Sequence, residues 1–192
     1  MKSGLTPFVL IFILLTAGAC NQAEQENKEK FFPVLSFLQS QVASIDTSLY
    51  TIRKLVYTDS VRIDTIYIHR ENFRQEANEF LSIPDLASKD YRDRYTEEKD
   101  FDETINRVRL TYLPLKPEKE EIQKQEVLIR FDPSGDKVTN IIINSFVNSK
   151  DSAVEKKLMW KVDASFQVIT TRQLAGRPET TSTIKVVWNE EE

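Results

Sequence analysis

From Ile105 to Trp188 the chain alternates apolar and polar residues, and this alternation limits the folds open to it. Successive side chains of a strand point to opposite faces, so period two marks a sheet with one buried and one wet face. The longest instance is 156–171, where Leu158, Trp160, Val162, Ala164, Phe166, Val168 and Thr170 fall on one side. It reads as one long, curved strand or as two strands that bend near Asp163. Val108, Leu110 and Tyr112 alternate with Arg107, Arg109 and Thr111; Val127, Ile129 and Phe131 continue the pattern. Val138 to Val147 is apolar on both faces at Ile141-Ile142-Ile143, which predicts a central strand. Ile184, Val186 and Trp188 form the last one. Asp132-Pro133-Ser134-Gly135 and Ala175-Gly176-Arg177-Pro178 supply turns.

The first half is mixed. Phe31, Val34, Leu35, Leu38, Val42 and Ile45 recur every three or four residues, an apolar helical stripe with Pro33 in the first turn. Its polar side carries no Lys or Arg, which argues against a helix lying on lipid. Residues 50–57 and 61–68 are β-branched and aromatic around Thr58-Asp59-Ser60, a hairpin signature. Phe73, Ala77, Phe80 and Leu81 return to helical spacing before Pro84. Asp85 to Thr104 is densely charged and yields no element. The expectation is an α+β fold: an antiparallel sheet of about eight strands, with curvature allowed by 156–171, packed against two helices from the N-terminal half.

The chemistry-bearing residues are few. Only Gly135 and Gly176 lie beyond the first 19 residues, both in turns, so no glycine loop is available to cradle phosphates. No serine sits in a G-x-S-x-G elbow. His69 is the sole histidine, at a strand-to-helix junction, and any hydrolase triad would have to use it. With one His and one Cys, a zinc site lacks ligands. Asp132, Ser134 and Asp136 space their oxygens like the start of a calcium loop, but Lys137 and Ile143 stand where glycine and glutamate belong, so a turn is the better reading. Glu97-Glu98, Asp100 and Asp102-Glu103 are interspersed with Lys89, Arg92, Arg94 and Lys99, the pattern of a solvated face. Trp160 and Trp188 read as core residues, with an apolar pocket as the alternative. The formal net charge of −4 argues against nucleic acid as a partner. No cofactor, metal or catalytic residue is expected.

The start of the chain is more specific. Lys2 precedes the apolar run Phe8 to Leu15, and Leu15-Thr16-Ala17-Gly18-Ala19-Cys20 follows. Charge, apolar core and small residues are the layout of a secretory signal peptide, and the run is too short for a good membrane span. The segment resembles the bacterial lipobox, whose final cysteine is cleaved free and acylated; Ala17 stands where leucine is commoner. Ala17-Gly18-Ala19 also fits ordinary A-x-A cleavage, which would leave Cys20 an unpaired thiol at the first position of an exported protein. The resemblance implies a signal peptide over 1–19, lipidation at Cys20 with a flexible tether over 20–30, and a single α+β domain over 31–192. It implies anchoring to the lipid bilayer of a Gram-negative envelope. Asn21, in place of an aspartate retention signal, favours the outer membrane. Gln22-Ala23-Glu24 resembles part of a surface-export signal and also suits a polar tether.

The whole is similar to small uncharacterised lipoproteins of Gram-negative bacteria. Three roles remain. One is a non-enzymatic, tethered domain that contacts another envelope protein. Another is a carrier of a lipid or other hydrophobic ligand, resembling the lipoprotein-carrier half-barrel. The third is an enzyme using His69 or the acidic segment.

Overall fold

Four apolar side chains spaced to share one stripe give the first helix its direction. In the computed structural model, which describes residues 31–58 and 62–189, α1 spans Val34–Asp46 and buries Val34, Leu38, Val42 and Ile45. The Pro33 carbonyl accepts the Phe37 N–H at 3.0 Å. At the other end the backbone N–H and the hydroxyl of Ser48 both donate to the Ile45 carbonyl, at 3.0 and 2.9 Å, satisfying a carbonyl the helix leaves open. Cys20, the leader and the tether lie outside the described residues.

β1 (Ile52–Tyr57) and β2 (Ile63–Ile68) pair as an antiparallel hairpin. A single 3-10 turn at Arg70–Asn72 leads into α2 (Phe73–Glu76) and α3 (Asn78–Leu81). The second expected helix is thus two short pieces that break at Ala77. The stripe survives because Phe80 and Leu81 both donate their N–H to the Ala77 carbonyl, keeping Phe73, Ala77 and Phe80 buried on one side.

Beyond a further turn, α4 (Lys89–Arg92), the chain runs as a meander: β3 (Tyr95–Asp102), β4 (Arg107–Pro114), β5 (Ile122–Arg130), β6 (Lys137–Asn148), β7 (Ser152–Lys161), β8 (Ser165–Leu174) and β9 (Thr180–Val187). The first hairpin then docks on the last strand, giving one open antiparallel sheet in the order β2-β1-β9-β8-β7-β6-β5-β4-β3. Among the described residues nine strands replace the expected number of about eight. The added one, β3, lies in the acidic stretch, and 156–171 resolves into two strands joined by a tight turn. Asp163, at φ 58°, makes that turn in the left-handed region that Asp tolerates better than most residues.

Two bulges adjust the inner face. Register slips between Ile122 and Lys124, and again between Leu128 and Ile129. The first lets Ile122 share the buried side with Gln125 and Val127 despite its parity. Each slip is tied down by a side chain: the Gln123 amide donates to the Pro117 and Glu120 carbonyls, and the Thr139 hydroxyl donates to the Leu128 carbonyl.

The helices cover one face of the sheet and share a continuous core with it. Its centre is aromatic. The Trp160 and Phe166 rings, directly opposite on β7 and β8, stack at 5.4 Å with planes 19° apart. Phe80 meets Trp160 edge-on at 5.1 Å, and Phe73 meets Trp188 the same way at 5.3 Å. Edge-to-face contacts of this kind add about 0.5–1.5 kcal/mol each beyond their burial. Two ion pairs pin the short helices to the inner face: Lys54 to Glu76 and Lys156 to Glu79, each at 2.7 Å.

Candidate binding surfaces

His69 is exposed and follows β2, the strand at one edge of the sheet. The acidic residues Glu97, Glu98, Asp100 and Asp102 lie on β3, at the opposite edge. The strand order therefore does not bring them together. On the outer face the Arg109 guanidinium bonds to Asp102 and approaches Asp100 and Glu126 at 3.9 and 3.7 Å, while Lys124 holds Glu126 at 3.0 Å. These carboxylates are matched by cations across neighbouring strands, which is how a charged sheet face stays stable.

Glu120 is nearly buried and accepts both Arg94 Nε, at 2.7 Å, and a second guanidinium nitrogen. The Tyr95 hydroxyl donates to the Ile122 carbonyl at 3.1 Å beside it. The cluster straps the β3 edge to the turn before β5. The Asp132 carboxylate takes the Ser134 N–H and hydroxyl and the Lys137 ammonium, at 3.0, 2.5 and 3.2 Å. Those donors hold its carboxyl well below the usual range. Its oxygens serve the turn, with Gly135 at φ 118° completing it. Trp160 and Trp188 are buried in the aromatic cluster as core residues.

Ser145 stands directly across from Lys156 on the inner face, in a small recess lined also by Ser82 and Glu121. The Lys156 ammonium pairs with the Glu79 carboxylate of α3 at 2.7 Å.

A larger cleft of about 710 Å³ opens at the start of α1. Phe32, Phe37 and Gln41 form one wall, and the strand ends supply Arg107, Arg130, Lys137, Lys161, Asp136 and Asp163. The Phe32 and Phe37 rings lie 5.5 Å apart. Arg107 donates to the Ile105 and Asn106 carbonyls, and Arg130 and Lys137 both reach Asp132. The wall is thus mainly apolar on the helix side and cationic on the sheet side, with four cations against two carboxylates. Sequence reading missed this cleft because its charged residues come from four strand ends that only the meander gathers.

The second surface is the β2 edge. Ile63, Ile66 and Tyr67 are 51%, 49% and 71% exposed, and Tyr50 and Leu49, just before β1, are exposed nearby. Only Asp64 is charged in this strand, whereas β3 carries Glu97, Glu98, Lys99, Asp100 and Asp102. Charge is the usual protection of an edge against pairing, so one edge of this sheet is guarded and the other is not. The sequence signal was present, since Ile63, Ile66, Tyr67 and Ile68 put apolar groups on both faces of a strand that the helices do not cover. No family model matches the chain, and neither a curated protein nor a solved structure matches it.

Proposed function

We propose that this protein is an envelope lipoprotein, acylated at Cys20 and held at the outer membrane, with a non-enzymatic, protein-binding role. The lipobox resemblance supports the anchor. Among the described residues β2 pairs with β1 alone, and this edge supports the binding role because an exposed edge strand offers its backbone groups to an incoming strand. Two acyl chains anchor stably where one does not, so the folded domain is free to use its surface for a partner.

Mass spectrometry of the mature N-terminus tests the anchor: the expected product begins at Cys20 and carries diacylglycerol. Cys20→Ser should shift the protein from the membrane to the soluble fraction. An unmodified Cys20 in the mature protein would remove the anchor from the proposal.

The cleft beside α1 favours a second reading, a binder of a hydrophobic ligand with a polar end, because Phe32 and Phe37 face charged strand ends across it. Phe37→Asp would place a carboxylate on the apolar wall and should weaken binding of a fluorescent long-chain fatty acid at least about tenfold, the cost of losing roughly 1.4 kcal/mol. Equal binding by the variant and the parent protein would dismiss the cleft as a ligand site.

A further inference from the structure

The direction in which β2 points its backbone groups follows from one hydrogen bond. The Thr58 N–H donates to the Arg62 carbonyl at 3.2 Å, and Thr58 and Arg62 stand opposite one another at the end of the β1–β2 register. In an antiparallel pair, hydrogen-bonded positions recur at every second residue. Asp64, Ile66 and Ile68 therefore bond to β1, and Ile63, Thr65 and Tyr67 turn their N–H and C=O groups to the open edge.

We propose that this edge pairs with the β2 edge of a second copy, antiparallel about a two-fold axis at Thr65, so that two nine-stranded sheets become one. The inference rests on β2 being the binding edge and adds the identity of the partner. The sequence of the strand supports that register. It sets Thr65 against Thr65, and the exposed Ile63 against the exposed Tyr67 on the outer face. Thr–Thr and aromatic–β-branched pairs are among those that stabilise antiparallel strands. Shifting the axis by one residue toward the N-terminus sets Asp64 against Asp64, and shifting it by one toward the C-terminus sets Ile63 against position 69, beyond the end of β2 at Ile68. Like charges directly opposite are unfavourable in the first, and the second leaves the open-edge groups of Ile63 without a strand partner. At the Thr65 register the open-edge groups of Ile63, Thr65 and Tyr67 all find backbone partners. A two-fold interface of this type closes on itself and leaves no new edge in the centre of the joined sheet.

One strand pair buries less surface than a standard stable interface. Confinement of anchored copies to a membrane plane raises their effective concentration and favours the pairing there.

The test uses the full mature chain with Cys20→Ser, so its outcome does not depend on the anchor. Sedimentation equilibrium should show a monomer–dimer equilibrium, weakened at least tenfold by Thr65→Pro. Proline suits this position because the Thr65 N–H faces the open edge and makes no bond to β1. Separately, Thr65→Cys should form a disulfide-linked dimer under mild oxidation, while Gln39→Cys, exposed on α1, should not. If Thr65→Pro fails to fold, the cysteine pair decides alone. A chain that stays monomeric throughout, or Thr65→Cys that cross-links no more than Gln39→Cys, would overturn self-pairing. A photo-crosslinker at Tyr67 that captures a different protein and never this chain would also overturn it, while leaving β2 as a binding edge.

Discussion

Replacing Trp160 by alanine is expected to lower the unfolding free energy by about 3–5 kcal/mol, the usual cost of emptying an aromatic core position. The indole is fully buried and touches Phe80, Phe166, Phe73 and Trp188, so rings on α2, α3, β8 and the end of β9 lose a shared neighbour at once. Trp160→Phe should be far milder. It keeps a ring against Phe166 and removes an indole N–H that is buried without an acceptor among the described residues. Relief of such a donor offsets part of the lost volume, since an unsatisfied buried group costs about 1–3 kcal/mol. Urea unfolding monitored by circular dichroism separates the two, and equal losses for both variants would mean that the ring stack does not organise this core.

High pH should destabilise the protein through two phenols. Burial pushes the Tyr112 hydroxyl well above its ordinary value, and the Glu97 carboxylate adds to this; burial and then Glu120 do the same for Tyr95. Both groups hold their protons in the fold and lose them near pH 10 once unfolded, so the unfolded state binds fewer protons above that pH. Stability is therefore constant with respect to these groups below pH 10 and falls as pH rises beyond it, by about 1.4 kcal/mol per pH unit for each phenol. Tyr112→Phe is expected to cross over. At neutral pH it loses the acceptor for the Phe32 N–H, a 3.0 Å bond tying the entry of α1 to β4, at a cost of about 1 kcal/mol. Above pH 10 it should unfold less steeply than the parent protein. Parallel pH–stability curves for the two would show that Tyr112 does not hold its proton in the fold.

The sheet was largely legible because most of its strands have one buried face, and alternation reports such a face directly. Val108, Tyr112, Val127, Ile141, Leu158, Trp160, Phe166, Val168 and Val186 are all buried. The hairpin at Asp163 was ambiguous for a definite reason. Trp160 lies opposite Phe166 and Leu158 opposite Val168, so the two strands of the hairpin keep the same parity, and alternation runs through the turn unbroken. Strand β3 was invisible because it pairs on one side only and anchors its start with the buried Tyr95. Its remaining residues are held by the ladder to β4 and by cross-strand charges, and neither leaves an apolar rhythm. The cleft and the open edge belong to topology. Apolar residues on both faces of β2 mark the strand, but only the topology places it at the end of the sheet, and no motif links Arg107 to Lys161.

The pairing of β1 with β9 sets an order on how the molecule can be made. The ribosome releases the β1–β2 hairpin early, yet the strand that receives it is the last of the described strands in the chain. Until β9 is available, β1 has an unpaired flank and the aromatic rings of β7 and β8 lack Trp188. Closing so long a loop costs chain entropy before any contact repays it, and sheets of such long-range pairing fold slowly. The nascent hairpin thus has two open flanks where the finished protein has one. A chain cut short before Thr180 would keep both, turning a single controlled edge into a template for aggregation.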